Sequence, residues 1–176
     1  MSNESLLATL TPDTREKVEE LLALARERYG YNLKIVSARR TCEEQARLYA
    51  IGRTAPGQIV TNSRGCMSWH TMGRAVDLAF VSPNPTIQDW DNLGDLGQSI
   101  GFIWGKYFTG LQDLPHFEYH PGVKIEQLCH DPSDCEGGVR ASMSYAGGAS
   151  SGGVNWWVVA AAAGAAAVIY LLADEW

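Results

Sequence analysis

The sequence predicts an α+β fold, namely a small domain with a short antiparallel sheet and flanking helices, followed by an apolar C-terminal helix. Short runs of strand-forming residues are mixed with longer segments of helical periodicity; the chain then becomes glycine- and serine-rich and ends in an almost uncharged run. We expect the domain at 1–136, a flexible linker at 137–153 and the hydrophobic helix at 154–176. A chain of 176 residues leaves room for one such compact domain.

Three helices are predicted where suitable first and last residues bracket a helical segment. The first starts at Thr11, has proline in its first turn and closes at Gly30. The second is capped by Thr41 and runs through Tyr49, with a glycine beyond its end. The third covers 90–100 and is weakened by two internal glycines.

Three strands are predicted from short runs that lie between turn-forming segments. They cover Leu33 to Ala38, Ala75 to Phe80 and His116 to His120, and prolines follow the second of them. Between the first two strands, the stretch TAPGQIVTNSRG is rich in turn formers and indicates a loop or a loose hairpin.

The C-terminal segment is long and apolar enough to predict a membrane-spanning helix. Val154 to Ala173 are twenty residues without a formal charge. At about 1.5 Å per residue, such a helix spans the thickness of a bilayer core. Tryptophans stand near both ends, where interfacial aromatic residues belong. A helix buried in a large assembly is the alternative, because alanine is only weakly hydrophobic.

Charge and cysteine content limit the partners and surroundings of the chain. The net charge of −6 argues against nucleic acid as the main partner. The N-terminus MSNESLLATLTPDTREK lacks the basic start and apolar core of a secretion signal, so work outside the cytoplasm needs another route of delivery. Cys129 and Cys135 either close a small loop as a disulfide or stay free thiols. Cys66 is interpreted as a structural residue.

Polar side chains in two short stretches supply the inventory of a catalytic metal site. His70 and Asp77 lie in SWHTMGRAVDLAF, and Asp113 precedes His116 in QDLPHFEYH. Two histidines and one carboxylate are the three protein ligands of a catalytic zinc site with an open fourth position. A further carboxylate beside the metal is a general base for water. We expect adjacent strands of one sheet to bring His70, Asp77 and His116 together.

The order and spacing of these residues resemble a known enzyme family. The two motifs are Ser68-x-His70-x-x-Gly73-x-Ala75-x-Asp77 and Asp113-x-x-His116. Together they are similar to the zinc D,D-carboxypeptidase and L-alanyl-D-glutamate peptidase family, which includes VanY-type carboxypeptidases and many phage endolysins. The upstream stretch SARRTCEEQARLYAIGRTAPGQIVT also resembles an arginine-containing segment of that family, so the resemblance covers 36–118.

The resemblance implies a zinc site and a catalytic base. By position, His70, Asp77 and His116 bind zinc, and Asp113 is the base. Many family members have glutamate where Asp113 stands, but an aspartate in this setting is familiar among the phage enzymes.

Two further residues receive roles from the same resemblance. Arg40 matches the family arginine that stabilises negative charge on the substrate or the tetrahedral intermediate, although Arg39 beside it replaces the usual aromatic residue. Ser68 contacts the substrate or supports the site, and a simple turn hydroxyl is the alternative interpretation.

The function implied is that of a phage-type peptidoglycan hydrolase. Such a zinc endopeptidase cleaves the stem peptide, at the L-alanyl-D-glutamate or a similar bond, during lysis or virion entry. It acts on the periplasmic cell wall from the phage virion or the host inner membrane, with the C-terminal helix engaging the membrane or a tail assembly. The alternatives are a host membrane-bound D-alanyl-D-alanine carboxypeptidase and a non-catalytic virion tail or wall-binding protein.

Overall fold

The computed structural model describes residues 2–81, 84–128, 158–159 and 170–171. It divides the chain into two units, Met1–Gly138 and Val139–Trp176. All residues expected to form the metal site lie in the first unit.

The described part of the first unit consists of helices and one antiparallel sheet. Its helices are α1 (Asn3–Leu7), α2 (Pro12–Tyr29), α3 (Cys42–Ala50), α4 (Ile87–Ser99) and α5 (Ile125–Leu128). Its strands are β1 (Leu33–Ser37), β2 (Ala75–Phe80), β3 (Ile103–Trp104) and β4 (His116–Glu118). The strands pair in the order β1-β2-β4-β3, and every pair is antiparallel. The predicted α+β fold is confirmed for this unit.

The predicted helices are bounded by the residue types that the sequence places at their ends. Gly30 closes α2 with a left-handed backbone, φ +69°, a conformation that glycine adopts without steric cost. Thr41 begins α3 with a capping box, in which its hydroxyl and the glutamate of the first turn exchange hydrogen bonds with each other's backbone amides. Thr86 forms the same arrangement, and α4 therefore begins at Ile87 rather than at the predicted Trp90.

Sequence analysis predicts neither α1 nor β3, because both are too short to show a hydrophobic period. Helix α1 nevertheless has a clear role at the edge of the sheet. The side chain of Asn3 accepts a hydrogen bond from the Ile35 amide at 2.8 Å and donates one to the Leu33 carbonyl at 3.2 Å. These bonds satisfy backbone groups on the free side of β1.

The two glycines that weaken α4 as a helix allow it to lie close against the sheet. A Cβ atom at Gly94 would lie 2.1 Å from the indole ring of Trp104, and one at Gly97 would lie 2.8 Å from the ring of Phe117. Both aromatic side chains are almost fully buried, at 1% and 0% exposure. Phe117 thus anchors one face of β4 in the core and leaves the flanking residues of the strand for the opposite face.

A disulfide joins Cys42 at the start of α3 to Cys66 in the loop before the histidine motif. The structural interpretation of Cys66 agrees with this bond. The possible disulfide between Cys129 and Cys135 falls outside the described residues.

In the second unit, the described residues form two short antiparallel strands, β5 (Val158–Val159) and β6 (Tyr170–Leu171). At these four positions the structure differs from the single helix predicted over 154–176. An apolar run by itself does not distinguish a strand from a helix, and valine and tyrosine favour strands. None of the described helices combines the length and hydropathy needed to cross a bilayer. The other residues of the predicted helix lie outside the described part.

Candidate metal centre

Two paired strands and one turn bring the three predicted ligands together. Asp77 on β2 lies directly opposite His116 on β4, and His70 lies in the turn that precedes β2. The Nε2 atom of His70 is 3.2 Å from Asp77 Oδ1 and 3.2 Å from His116 Nδ1, and His116 Nδ1 is 3.0 Å from Asp77 Oδ1. All three residues are buried. The three residues therefore come together as expected, two of them on adjacent predicted strands and His70 on the turn before β2.

In each histidine, the ring nitrogen that points away from the cluster (the outer nitrogen) determines whether the nitrogen that faces the cluster (the inner nitrogen) can bind a metal. His70 Nδ1 lies 2.7 Å from the carbonyl oxygen of Ala38, and His116 Nε2 lies 3.1 Å from Glu118 Oε2. Both partners are acceptors, so each outer nitrogen carries the hydrogen. In the neutral rings the inner nitrogens carry the lone pairs, and together with the adjacent carboxylate oxygen these donors fit zinc.

The electrostatics of the cluster favour a positive charge at its centre. Burial raises the pKa of Asp77, but the charges of His70 and Arg40 outweigh it and hold that pKa well below 3.8. Burial lowers the pKa of His116, yet hydrogen bonds to Asp77 and Glu118 raise it to about 10. The position between His116 and Asp77 therefore favours a proton, and a divalent cation bound there would interact with the same two side chains.

Arg40 lies beside the cluster and contacts one of its ligands. Its Nη2 donates a hydrogen bond to Asp77 Oδ2, its Nε donates to Ser37 Oγ at 3.0 Å, and its Nη1 donates to Gln45 Oε1 at 3.3 Å. The resemblance implied a contact with charge on the substrate, whereas these bonds aim the guanidinium at the outer oxygen of a ligand. Arg40 can thereby fix the direction in which Asp77 presents its inner oxygen.

Asp113 lies in the loop before β4 and lines the same cavity as the two histidines. This cavity has a volume of about 380 Å³. The Asp113 amide donates to the Gly105 carbonyl at 3.0 Å, and its own carbonyl accepts from the His116 amide at 3.2 Å. Burial, followed by the charge of Asp77, raises the pKa of Asp113 to about 6. Such a carboxyl can both accept and release a proton near neutrality.

Ser68 is buried in the turn that carries His70 and borders the cavity. Its hydroxyl oxygen accepts a hydrogen bond from the His70 amide at 3.3 Å. The side chain therefore shapes the turn around a metal ligand, and its position at the cavity is also compatible with a substrate contact.

The structure adds residues that sequence analysis assigns no role. Glu118 and His120 extend from the cluster along and beyond β4, and His120 stacks against Trp69 with ring centroids 3.7 Å apart. Gln45, which is fully buried, holds Arg40 and also donates to the Ser63 carbonyl at 2.9 Å. The strand period contains the signal for Glu118, because residues i and i+2 share a face. The helical pattern of α3 contains no signal that would identify Gln45.

Comparisons with known proteins agree with this geometry. A family model described as D-alanyl-D-alanine carboxypeptidase, of the M15 peptidases, matches residues 61–119, a range that contains the cluster and Asp113. Over 125 residues the chain is 31% identical to the peptidoglycan L-alanyl-D-glutamate endopeptidase CwlK of Bacillus subtilis (strain 168). That alignment covers 64% of this chain and 74% of CwlK.

Solved structures of two peptidases are similar to the chain at lower identity. The LD-carboxypeptidase LdcB is 19% identical, with a TM-score of 0.51 and coverage of 69% of this chain and 71% of LdcB. A vancomycin-resistance D,D-pentapeptidase VanY, solved in complex with Zn(II), is 17% identical, with a TM-score of 0.49 and coverage of 70% and 79%.

Proposed function

Because the chain belongs to the VanY-like family of zinc D,D-carboxypeptidases and L-alanyl-D-glutamate peptidases, we propose that it cuts the bond between L-alanine and D-glutamate in the stem peptide of peptidoglycan. Family membership makes the chain a metallopeptidase that acts on peptidoglycan, and His70, Asp77 and His116 supply the ligands for its zinc. The choice of bond is the finer step. It rests on the 31% identity to CwlK, which carries that activity in its name.

We assign the residues of the centre as follows. His70, Asp77 and His116 hold the zinc, and Arg40 orients Asp77. When bound, zinc lowers the pKa of a water molecule toward neutrality and polarises the carbonyl group of the amide. Asp113 would accept a proton from the attacking water as its oxygen bonds to the amide carbon, and would give that proton to the amine nitrogen as the C–N bond breaks.

Digestion of purified peptidoglycan by the full chain tests the proposed bond. We expect mass spectrometry to show new N-terminal D-glutamate on released peptides and L-alanine left on the glycan strands. Removal of zinc by a chelator should abolish the reaction, and added zinc should restore it. Digestion that proceeds at the same rate after the metal has been removed and its absence verified would contradict the assigned chemistry.

D-alanyl-D-alanine carboxypeptidase activity is the second candidate, and the description of the matching family model favours it. The same digest distinguishes the two, because a carboxypeptidase releases free D-alanine and leaves the bond next to L-alanine intact. Release of D-alanine alone would replace the endopeptidase proposal with this one.

We further propose that the enzyme is of phage type and serves lysis or virion entry, with the apolar segment 154–173 as its membrane or tail contact. The resemblance to phage endolysins and the absence of formal charges from that segment support this proposal. Flotation of the full chain with liposomes tests the membrane part. A chain that stays at the bottom of the gradient, as a variant truncated after 136 should, would refute it.

A further inference from the structure

Glu118 is a buried carboxylate next to the cluster. It lies on β4 two residues after His116, so both side chains project from the same face of the strand. On β2 the residue opposite Glu118 is Ala75, which has no polar side-chain group to pair with the carboxylate. Glu118 is only 8% exposed, and a buried carboxylate is costly unless it has partners.

Both carboxylate oxygens of Glu118 are used, and each meets an imidazole. Oε2 lies 3.1 Å from His116 Nε2, and Oε1 lies 3.2 Å from His120 Nε2. The ring of His120 is in turn stacked on Trp69, with an interplanar angle of 6°. Trp69 adjoins His70 in sequence, so this chain of contacts returns to the turn that carries the other histidine ligand.

The contact with Glu118 decides which nitrogen of His116 can bind a metal. An acceptor at Nε2 keeps the hydrogen on that nitrogen, and the lone pair is then on Nδ1. Nδ1 is the nitrogen that lies 3.0 Å from Asp77 Oδ1 and 3.2 Å from His70 Nε2. For His70 a backbone carbonyl has this role, whereas for His116 it is a side chain and can be replaced.

We propose that Glu118 is a positioning residue of the zinc site, which fixes the ring orientation and tautomer of His116 so that Nδ1 faces the metal. The inference rests on the zinc centre of the proposed function. It adds a residue that acts on the metal through another side chain, since the hydrogen bonds of Glu118 go to two imidazoles.

Two substitutions separate the hydrogen bond from the volume and the charge of the side chain. Glu118→Met has a similar size but no acceptor, and we expect it to weaken zinc binding about 10–100-fold, as measured by competition with a chelator. Glu118→Gln keeps an oxygen that can accept from His116 and an amide that can donate to His120, so its affinity should stay within about fivefold of the unsubstituted chain. Glu27→Met, the same change at an exposed position of α2, is the matched control and should bind zinc as the unsubstituted chain does.

Nitrogen-15 spectra of the histidine rings in the zinc-loaded chain provide a readout that a loss of packing alone would not change. We expect a slowly exchanging Nε2 proton on His116 in the unsubstituted chain and in Glu118→Gln, and its loss in Glu118→Met. If Glu118→Met does not fold, the zinc affinity of Glu118→Gln still tests the inference. An affinity as low as that of a chain lacking His116 would overturn it, because the charge of Glu118 and not its hydrogen bond would then support the site.

Two other results would overturn the inference in distinguishable ways. If Glu118→Met binds zinc within twofold of the unsubstituted chain and keeps the protected Nε2 proton, Glu118 does not position His116, while the zinc centre stands. If the unsubstituted chain itself fails to bind zinc, the centre and the proposed function fail together.

Discussion

At the residue scale, the metal centre depends on what lies behind each ligand as well as on the ligands. A backbone carbonyl orients His70, a carboxylate orients His116, and an arginine orients Asp77. Each of these partners leaves the atom of the ligand that faces the cluster, a ring nitrogen or a carboxylate oxygen, free to contact a cation. The motif spacing predicts the inner atoms, whereas most of the outer partners are found only in the folded chain.

Asp113 and His116 should have separable roles. Replacement of Asp113 by Asn should lower turnover about 10²–10⁴-fold, the usual contribution of a general acid–base residue, while zinc stays bound, because Asp113 is not one of the three clustered ligands. Replacement of His116 by Ala should instead lower the zinc content. Elemental analysis and hydrolysis rates on the same samples measure both effects. An Asp113→Asn chain with normal turnover would exclude it as the base.

An ion pair near the motif turn should make stability depend on pH in the acid range. Burial raises the pKa of Asp13, but hydrogen bonds from Thr11 and Arg74 outweigh it and leave that pKa below 3.8. The pair therefore stabilises the fold above about pH 4, and its contribution is lost as the pH falls through the lower folded pKa.

Asp13→Asn should accordingly lower the free energy of unfolding by about 0.2–1 kcal/mol at pH 7, as expected for a pair that is partly exposed. Thermal unfolding of the variant and the unsubstituted chain at pH 7 and near pH 2 checks this. A difference that is equally large at both pH values would mean that Asp13 acts by packing and not by charge.

At the element scale, the two glycines of α4 lower its helix propensity but allow it to pack closely against the sheet. Gly94→Ala should therefore destabilise the fold even though alanine is the better helix former, because the new methyl group would meet the Trp104 ring at 2.1 Å. We expect a loss of about 1–3 kcal/mol, the usual cost of overpacking. Denaturant unfolding measures it, and Gln98→Ala at an exposed position of α4 is the control. Equal stability of the two variants would contradict this role of Gly94.

The sequence predicts the strands that carry ligands better than it predicts the elements around them. Asp77 and His116 lie on β2 and β4 as expected, because short apolar runs between turn-forming segments identify buried strands. The two-residue β3 leaves no period to recognise. The glycines of α4 look like helix breakers until Trp104 and Phe117 are seen against them. The role of Gln45 depends on a contact with Arg40 across a turn, which no local pattern records.

At the scale of the whole molecule, the disulfide joins two segments that support the metal site. Cys42 and Cys66 are 24 positions apart in sequence, and their bond holds the start of α3, which carries Gln45, next to the loop that leads to His70. Reduction should lower the free energy of unfolding by about 2–4 kcal/mol. Urea unfolding with and without a thiol reductant measures this, and a chain with both cysteines replaced by serine is the control. A stability that the reductant leaves unchanged would show that the bond does not strengthen the fold.

The cavity beside the cluster is lined by residues of two kinds. Strand and motif-turn residues that hold the cluster line one part of it, whereas 60–63, Phe108, Thr109 and Leu111 line it from loops and provide no ligand of the cluster. Loops tolerate replacement far better than paired strands do. Substrate preference can therefore change through Thr109 and Leu111 without loss of a ligand, whereas 60–63 also hold Gln45 behind Arg40, because the Ser63 carbonyl accepts a hydrogen bond from Gln45 at 2.9 Å.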